Sequence, residues 1–194
     1  MKRSLMALAL LAALPMSAQA ADGKLSYNFI EADYVRVNVD DADGYDPDGF
    51  GLKGSFALGE SFYGFGSYLS ASDDLSGFDL DVDQSQLGLG YRHGISDNAD
   101  FITELSWINQ SVDVDGLSNV DGNGGKLSVG IRGLMAEKFE GYAKANYTDG
   151  GDFDGDFSGT VGAQFRFNET WGLTGEAEFG DDGEVYMLGV RASF

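Results

Sequence analysis

Along most of the chain, apolar and polar side chains alternate at every second position. Period two is the mark of β-strands, because successive side chains leave opposite faces of a pleated strand. Residues 157–167 show it cleanly. Phe157, Gly159, Val161, Ala163, Phe165 and Phe167 share one parity, and Ser158, Thr160, Gly162, Gln164 and Arg166 share the other. Ten such segments are predicted, near 25–39, 49–58, 62–70, 83–92, 100–112, 125–134, 138–148, 157–167, 170–180 and 184–194. Most have the length with which a tilted strand crosses a bilayer. The first is mixed around Phe29, Ile30 and Glu31, which allows a bulge there, and the third (FYGFGSYLS) carries aromatics on both faces.

The links alternate as well. Those at 59–61, 93–98, 135–137 and 168–169 are short, whereas those at 40–48, 71–82, 113–124, 149–156 and 181–183 are mostly longer and rich in Asp and Gly. Short turns on one side and long loops on the other predict an all-β fold, a transmembrane antiparallel up-and-down β-barrel. Ten strands are expected, or eight if the first or last segment pairs differently. An even count puts both termini on the short-turn side.

A soluble sandwich also alternates, but its inner face must be dry. Here one parity holds Lys53, Arg92, Lys126, Arg132, Lys144, Arg166 and Arg191 together with Glu104, Glu140, Glu176 and Glu178. Such a set cannot form a dry core. It is expected to line the lumen, joined by Glu31 and Asp33, either as a filled, salt-bridged interior or as the wall of a narrow charged pore. On the apolar parity, aromatics gather toward strand ends. Trp107, Tyr147, Phe157, Phe179 and Tyr186 fall near the long loops. Tyr91, Phe101, Phe139, Phe165, Phe167, Trp171 and Phe194 fall near the short turns. Two such girdles mark the two interfaces of a membrane.

The ends of the chain fit this picture. Lys2 and Arg3, an apolar run from Leu5 to Leu14, Pro15 and Ser17-Ala18-Gln19-Ala20 read as a signal peptide cut after Ala20, leaving a barrel domain over 21–194. In EVYMLGVRASF, the residues Tyr186, Leu188, Val190, Ala192 and Phe194 alternate up to a terminal phenylalanine. That pattern resembles the signal read by the outer-membrane barrel assembly machinery, so this machinery is an expected partner.

Charge sharpens the orientation. The windows 40–49, 70–83, 113–124, 148–156 and 180–184 hold 20 of the 32 acidic residues and no Lys or Arg. The negative charge is therefore concentrated on the long-loop, extracellular side. Phosphate binding needs Lys and Arg, so nucleic acid is excluded as a partner. The chain has no cysteine, so neither disulfides nor a Cys/His zinc site is expected. Its single histidine, His93, falls in the short turn YRHGISDN, with Ser96 and Asp97 only as sequence neighbours. Hydrolytic chemistry of the His-dependent kind has little to build on there. No catalytic residue or cofactor is expected, and the protein reads as a non-enzyme.

The segments KLSYNFIEADYV, GFGLKGSFAL, SFYGFGSYLS and QLGLGYRHGISDNADF, with the leader, resemble a proteobacterial family of small outer-membrane β-barrels. Its members are described as diffusible-signal-dependent, sulfation-dependent quorum factors. The resemblance implies an outer-membrane location in a Gram-negative bacterium, shedding in vesicles, and links to quorum sensing, biofilm, motility and virulence. It carries no catalytic motif.

One loop invites a metal reading. DADGYDPDG places Asp41, Asp43, Asp46 and Asp48 within nine residues, oxygen donors suited to a hard cation. The EF-hand pattern fails, because Leu52 stands where the bidentate acid belongs if Asp41 is the first ligand. Four other loops share the chemistry, so weak calcium or magnesium binding spread over an acidic surface is the better expectation. Such cations could bridge the loops to lipopolysaccharide. The function expected is a structural or surface-interaction role, and the alternative is a narrow channel or transporter for small solutes.

Overall fold

The computed structural model describes residues 25–39, 46–75, 78–114, 120–181 and 183–194. The predicted signal peptide, Asp41 and Asp43 lie outside these residues. Ten strands follow in chain order: β1 Phe29–Val39, β2 Asp48–Ala57, β3 Phe62–Leu75, β4 Phe78–Ser96, β5 Ala99–Val114, β6 Val120–Ala136, β7 Phe139–Gly150, β8 Phe153–Arg166, β9 Trp171–Gly180 and β10 Gly183–Ser193. Each pairs antiparallel with its sequence neighbour. β1 also pairs with β10 from Phe29↔Ser193 to Val39↔Gly183, which closes the sheet. The protein is a closed ten-stranded antiparallel barrel, and the eight-stranded alternative is set aside. Closure satisfies the backbone groups that an open edge would leave exposed in lipid.

Three expectations need correction. The segments 71–82 and 113–124 are not loops, nor is most of 149–156, where β7 runs to Gly150 and β8 starts at Phe153. β3 runs to Leu75 and β4 starts at Phe78, while β5 runs to Val114 and β6 starts at Val120. These hairpins continue after the outer face stops being apolar (Ser85, Asn109 and Ser111 replace the Leu and Trp below them), because a ladder in water needs no apolar face. The first strand begins at Phe29 rather than at residue 25, because 25–28 turn into the barrel mouth. Finally, β1 keeps an unbroken register with β2 and β10, without the bulge. The register shifts lie instead at hairpin ends, at Gly94/Ser96, Leu134/Ala136 and Thr148/Gly150.

Burial is inverted relative to a soluble protein. Glu31, Glu104, Lys126, Arg132, Glu140 and Arg191 are buried. Leu87, Leu89, Leu105, Ile131, Phe157 and Leu188 are each more than half exposed. An apolar outside around a polar inside is the arrangement lipid requires and water opposes.

Glycine makes room for the bulky lumen side chains. A Cβ on Gly90 would collide with the Tyr63 ring, and one on Gly162 with the Tyr142 ring. Each ring lies flat across the neighbouring strand, where only a glycine admits it.

Candidate functional site: the charged lumen

Inward parity delivers charged side chains from seven of the ten strands to one small volume. Arg191 on β10 donates to Glu31 on β1 at 2.5 Å, and Lys53 on β2 lies 3.3 Å from the other Glu31 oxygen. Lys53 also bonds Glu176 on β9 at 3.0 Å. Arg132 donates to Glu140 at 2.6 Å, Lys144 to Glu104 at 3.2 Å, and Lys126 to Glu178 at 2.5 Å. The Tyr63 hydroxyl donates to Glu104 at 2.8 Å, and the Tyr142 hydroxyl donates to Glu176. Several of these join strands that are not neighbours in the sheet: β2 to β9, β6 to β9, β5 to β7 and β3 to β5. They therefore cross the lumen instead of running along its wall. Inside a narrow barrel such pairs hold opposite walls together and satisfy one another's charge.

The network leaves an interior cavity of about 150 Å³, bordered by Lys53, Ser67, Gln84, Gln86 and Glu178 among others. On its short-turn side the Tyr27 ring occupies the mouth. Tyr27 is 3% exposed and packs with Tyr63 and Ile102, and Leu25 and Phe65 pack against that cluster.

Of the residues expected in the lumen, Lys53, Glu104, Lys126, Arg132, Glu140, Lys144, Glu176, Glu178 and Arg191 meet in this network. Arg92 and Arg166 sit lower, at the rim. Arg92 donates to the Glu60 carbonyl at 2.8 Å, and Arg166 donates to the Glu137 carbonyl at 3.2 Å. The hydroxyl partners Tyr63 and Tyr142 were not among the expected site residues, although their parity places them inward. Tyr27 shares the parity of Glu31 and Asp33 within the predicted segment 25–39, but the mixed pattern there gave it no distinct signal, and in the structure it precedes β1. His93 lies on β4 opposite Phe101 and is exposed, not in the turn.

Outside, the two girdles take shape. Toward the long hairpins, Tyr147 stacks on Phe157 with centroids 4.7 Å apart, Phe179 meets Tyr186 edge-on at 6.1 Å, and Trp107 is exposed beside them in height. At the other end Tyr91 meets Phe62 at 5.3 Å and Phe165 meets Phe167 at 5.8 Å, with Phe101, Phe139 and Trp171 exposed. Leu188 and Val190 on β10 also face outward, and the Phe194 amide donates to the Asn28 carbonyl at 3.0 Å. Of the acidic loop, Asp46 accepts from Arg36 at 2.7 Å and its amide donates to Asp73 at 3.1 Å, while Asp48 is exposed at the start of β2.

One consequence is measurable. Replacing Tyr142 by Phe keeps the ring on Gly162 but strips Glu176 of a buried donor. The expected loss is about 1–3 kcal/mol of unfolding free energy, read from urea titration of the refolded barrel. An unchanged midpoint would show that this hydroxyl holds nothing in place.

Fold and lumen together define a transmembrane β-barrel with a polar, cross-braced interior. No family model matches the sequence. Two curated relatives, uncharacterized proteins called YaiT from Escherichia coli and Salmonella typhimurium, are each 29% identical to it over 77% of this chain. The chain spans only 18% of the length of those relatives. Among solved structures it is similar to KdgM porin in complex with disordered oligogalacturonate (TM-score 0.47, 14% identity, 84% of this chain and 99% of that one). It is also similar to the outer membrane protein OprG from Pseudomonas aeruginosa (TM-score 0.45, 16% identity, 89% and 98%). A third is the translocator domain of the autotransporter NalP from Neisseria meningitidis (TM-score 0.47, 10% identity, 100% and 96%).

Proposed function

We propose that this protein is a non-enzymatic outer-membrane barrel, sealed at rest, whose work is done at its acidic extracellular face. The observation that carries this reading is the cross-braced lumen, with Lys53–Glu176, Lys126–Glu178 and Lys144–Glu104 spanning non-adjacent strands above a mouth filled by Tyr27. A filled interior leaves the exposed hairpins as the functional surface. At that end Asp46, Asp48, Asp81, Asp121, Asp149 and Asp152 are exposed, and the cation beside them, Arg36, is already paired with Asp46. Such a surface suits adhesion or association with lipopolysaccharide through weakly held calcium or magnesium. The family resemblance of the first half of the sequence adds links to biofilm, motility and virulence, and release in vesicles. The second reading, a narrow channel or transporter, is favoured by the interior cavity of about 150 Å³.

Planar-bilayer recording separates the two. The expected result for the refolded wild-type barrel is no steady open conductance. A steady open current from protein shown to be folded by its heat-dependent electrophoretic mobility would replace the sealed barrel with the channel.

A further inference from the structure

The segment Leu25–Asn28 is held in the barrel mouth by contacts that differ in kind from those of the wall. Two guanidinium groups lie over the Tyr27 ring, with Arg92 and Arg132 each 4.5 Å from its centroid. It also packs against Tyr63, 4.7 Å between centroids, and Ile102. The Tyr27 hydroxyl donates to Asp100 at 2.8 Å, and Arg132 donates to the Ser26 carbonyl at 2.8 Å. Asn28 closes the strap onto the barrel by accepting from the Ala57 amide at 2.8 Å. Leu25–Asn28 itself adds no strand to the sheet. It could therefore leave the mouth while the closed ladder stays intact.

We propose that this strap is a gate and that the barrel is an anion pore when the strap withdraws. The proposal rests on the lumen being sealed at rest. Withdrawal of Tyr27 takes the aromatic face from Arg92 and Arg132 together and turns both toward the opening. The cavity behind them is bordered by five cations (Lys53, Lys126, Arg132, Lys144 and Arg191) and by three acids, Glu104, Glu176 and Glu178. Rings of basic side chains select anions in pores. The ligand class is thus small anions, passing through the side of the barrel where Arg92, Arg132 and Arg191 gather. The acids facing that path, Asp100, Glu140 and Glu31, each already receive a donor, from Tyr27, Arg132 and Arg191 respectively. Asp100 loses its donor when the strap leaves, so it is the group that opposes selectivity there.

The test is recording in planar bilayers with a potassium chloride gradient, comparing wild type with Tyr27→Ala and Asp100→Ala, each checked for folding by heat-dependent mobility. Loss of the two ring contacts should raise the open fraction about tenfold or more in Tyr27→Ala. Its reversal potential should lie toward that of chloride. Asp100→Ala removes the hydroxyl's acceptor together with the acid that opposes selectivity, and should give a smaller rise in open fraction with a reversal potential still closer to that of chloride; it carries the test should Tyr27→Ala fold poorly. Folded variants as silent as wild type would overturn the gate while leaving the sealed barrel standing. Open variants selective for potassium would overturn the anion pore. A wild type that conducts steadily would instead overturn the sealed resting state on which the gate depends.

Discussion

Replacing Glu31 by alanine should destabilise the barrel by about 3–5 kcal/mol, the usual result of removing one member of a buried ionic cluster. Glu31 is 1% exposed and sits between two cations. Arg191 reaches one of its oxygens and Lys53 the other. After truncation Lys53 still has Glu176 at 3.0 Å, but Arg191 is left with Glu140 at 3.9 Å and with the Phe29 ring 4.0 Å from its guanidinium. Arg191 is itself only 4% exposed, so water cannot replace what it loses. The measurement is urea-induced unfolding of the refolded barrel in lipid vesicles, followed by tryptophan fluorescence. A double variant, Glu31→Leu with Arg191→Leu, should recover much of the loss, because a well-packed apolar pair can stand in for a buried ion pair. A single variant within about 1 kcal/mol of wild type, the range of solvent-exposed pairs, would mean that the lumen is wet enough to screen its charges.

On the opposite face the expected effect is also large, with a different cause. Leu105 is 65% exposed, midway along β5 between Phe101 and Trp107, and is paired with Leu89 and Leu127 on the flanking strands. Leu105→Arg should cost about 2–4 kcal/mol if these residues face the middle of a bilayer, whereas Asn109→Arg, on the same strand and face but beyond Trp107, should cost about 0–1 kcal/mol. Side chains on a water-facing sheet would tolerate both substitutions alike. Equal, small effects at the two positions would therefore remove the membrane from the interpretation, and the contrast between them measures where the lipid ends.

Much of this architecture was legible in the sequence, because a barrel strand has two environments and the chain must satisfy both residue by residue. Parity alone assigned Lys126, Ser128 and Arg132 to one side of β6 and Leu127, Val129 and Ile131 to the other. The structure places the first three in the interior and the last three outside. Parity also reached the strand count, since each reversal carries its own turn chemistry, such as Asn168 accepting from the Thr170 and Trp171 amides. Strand ends were less legible. Above the girdles both faces meet water, the alternation loses its apolar half, and the ladder of β3 through β6 continues without announcing itself.

The sequence by itself determined which side chains face lipid and which face the lumen, because period two is a local property of an extended chain. It could not determine which lumen charges meet. Lys53 and Glu176 are 123 residues apart, and whether they touch depends on how far round the closed barrel the register carries each of them. That is a property of closure, as is the seat of Tyr27, which exists only once Arg92, Arg132, Tyr63 and Asp100 have been gathered at one mouth from β4, β6, β3 and β5.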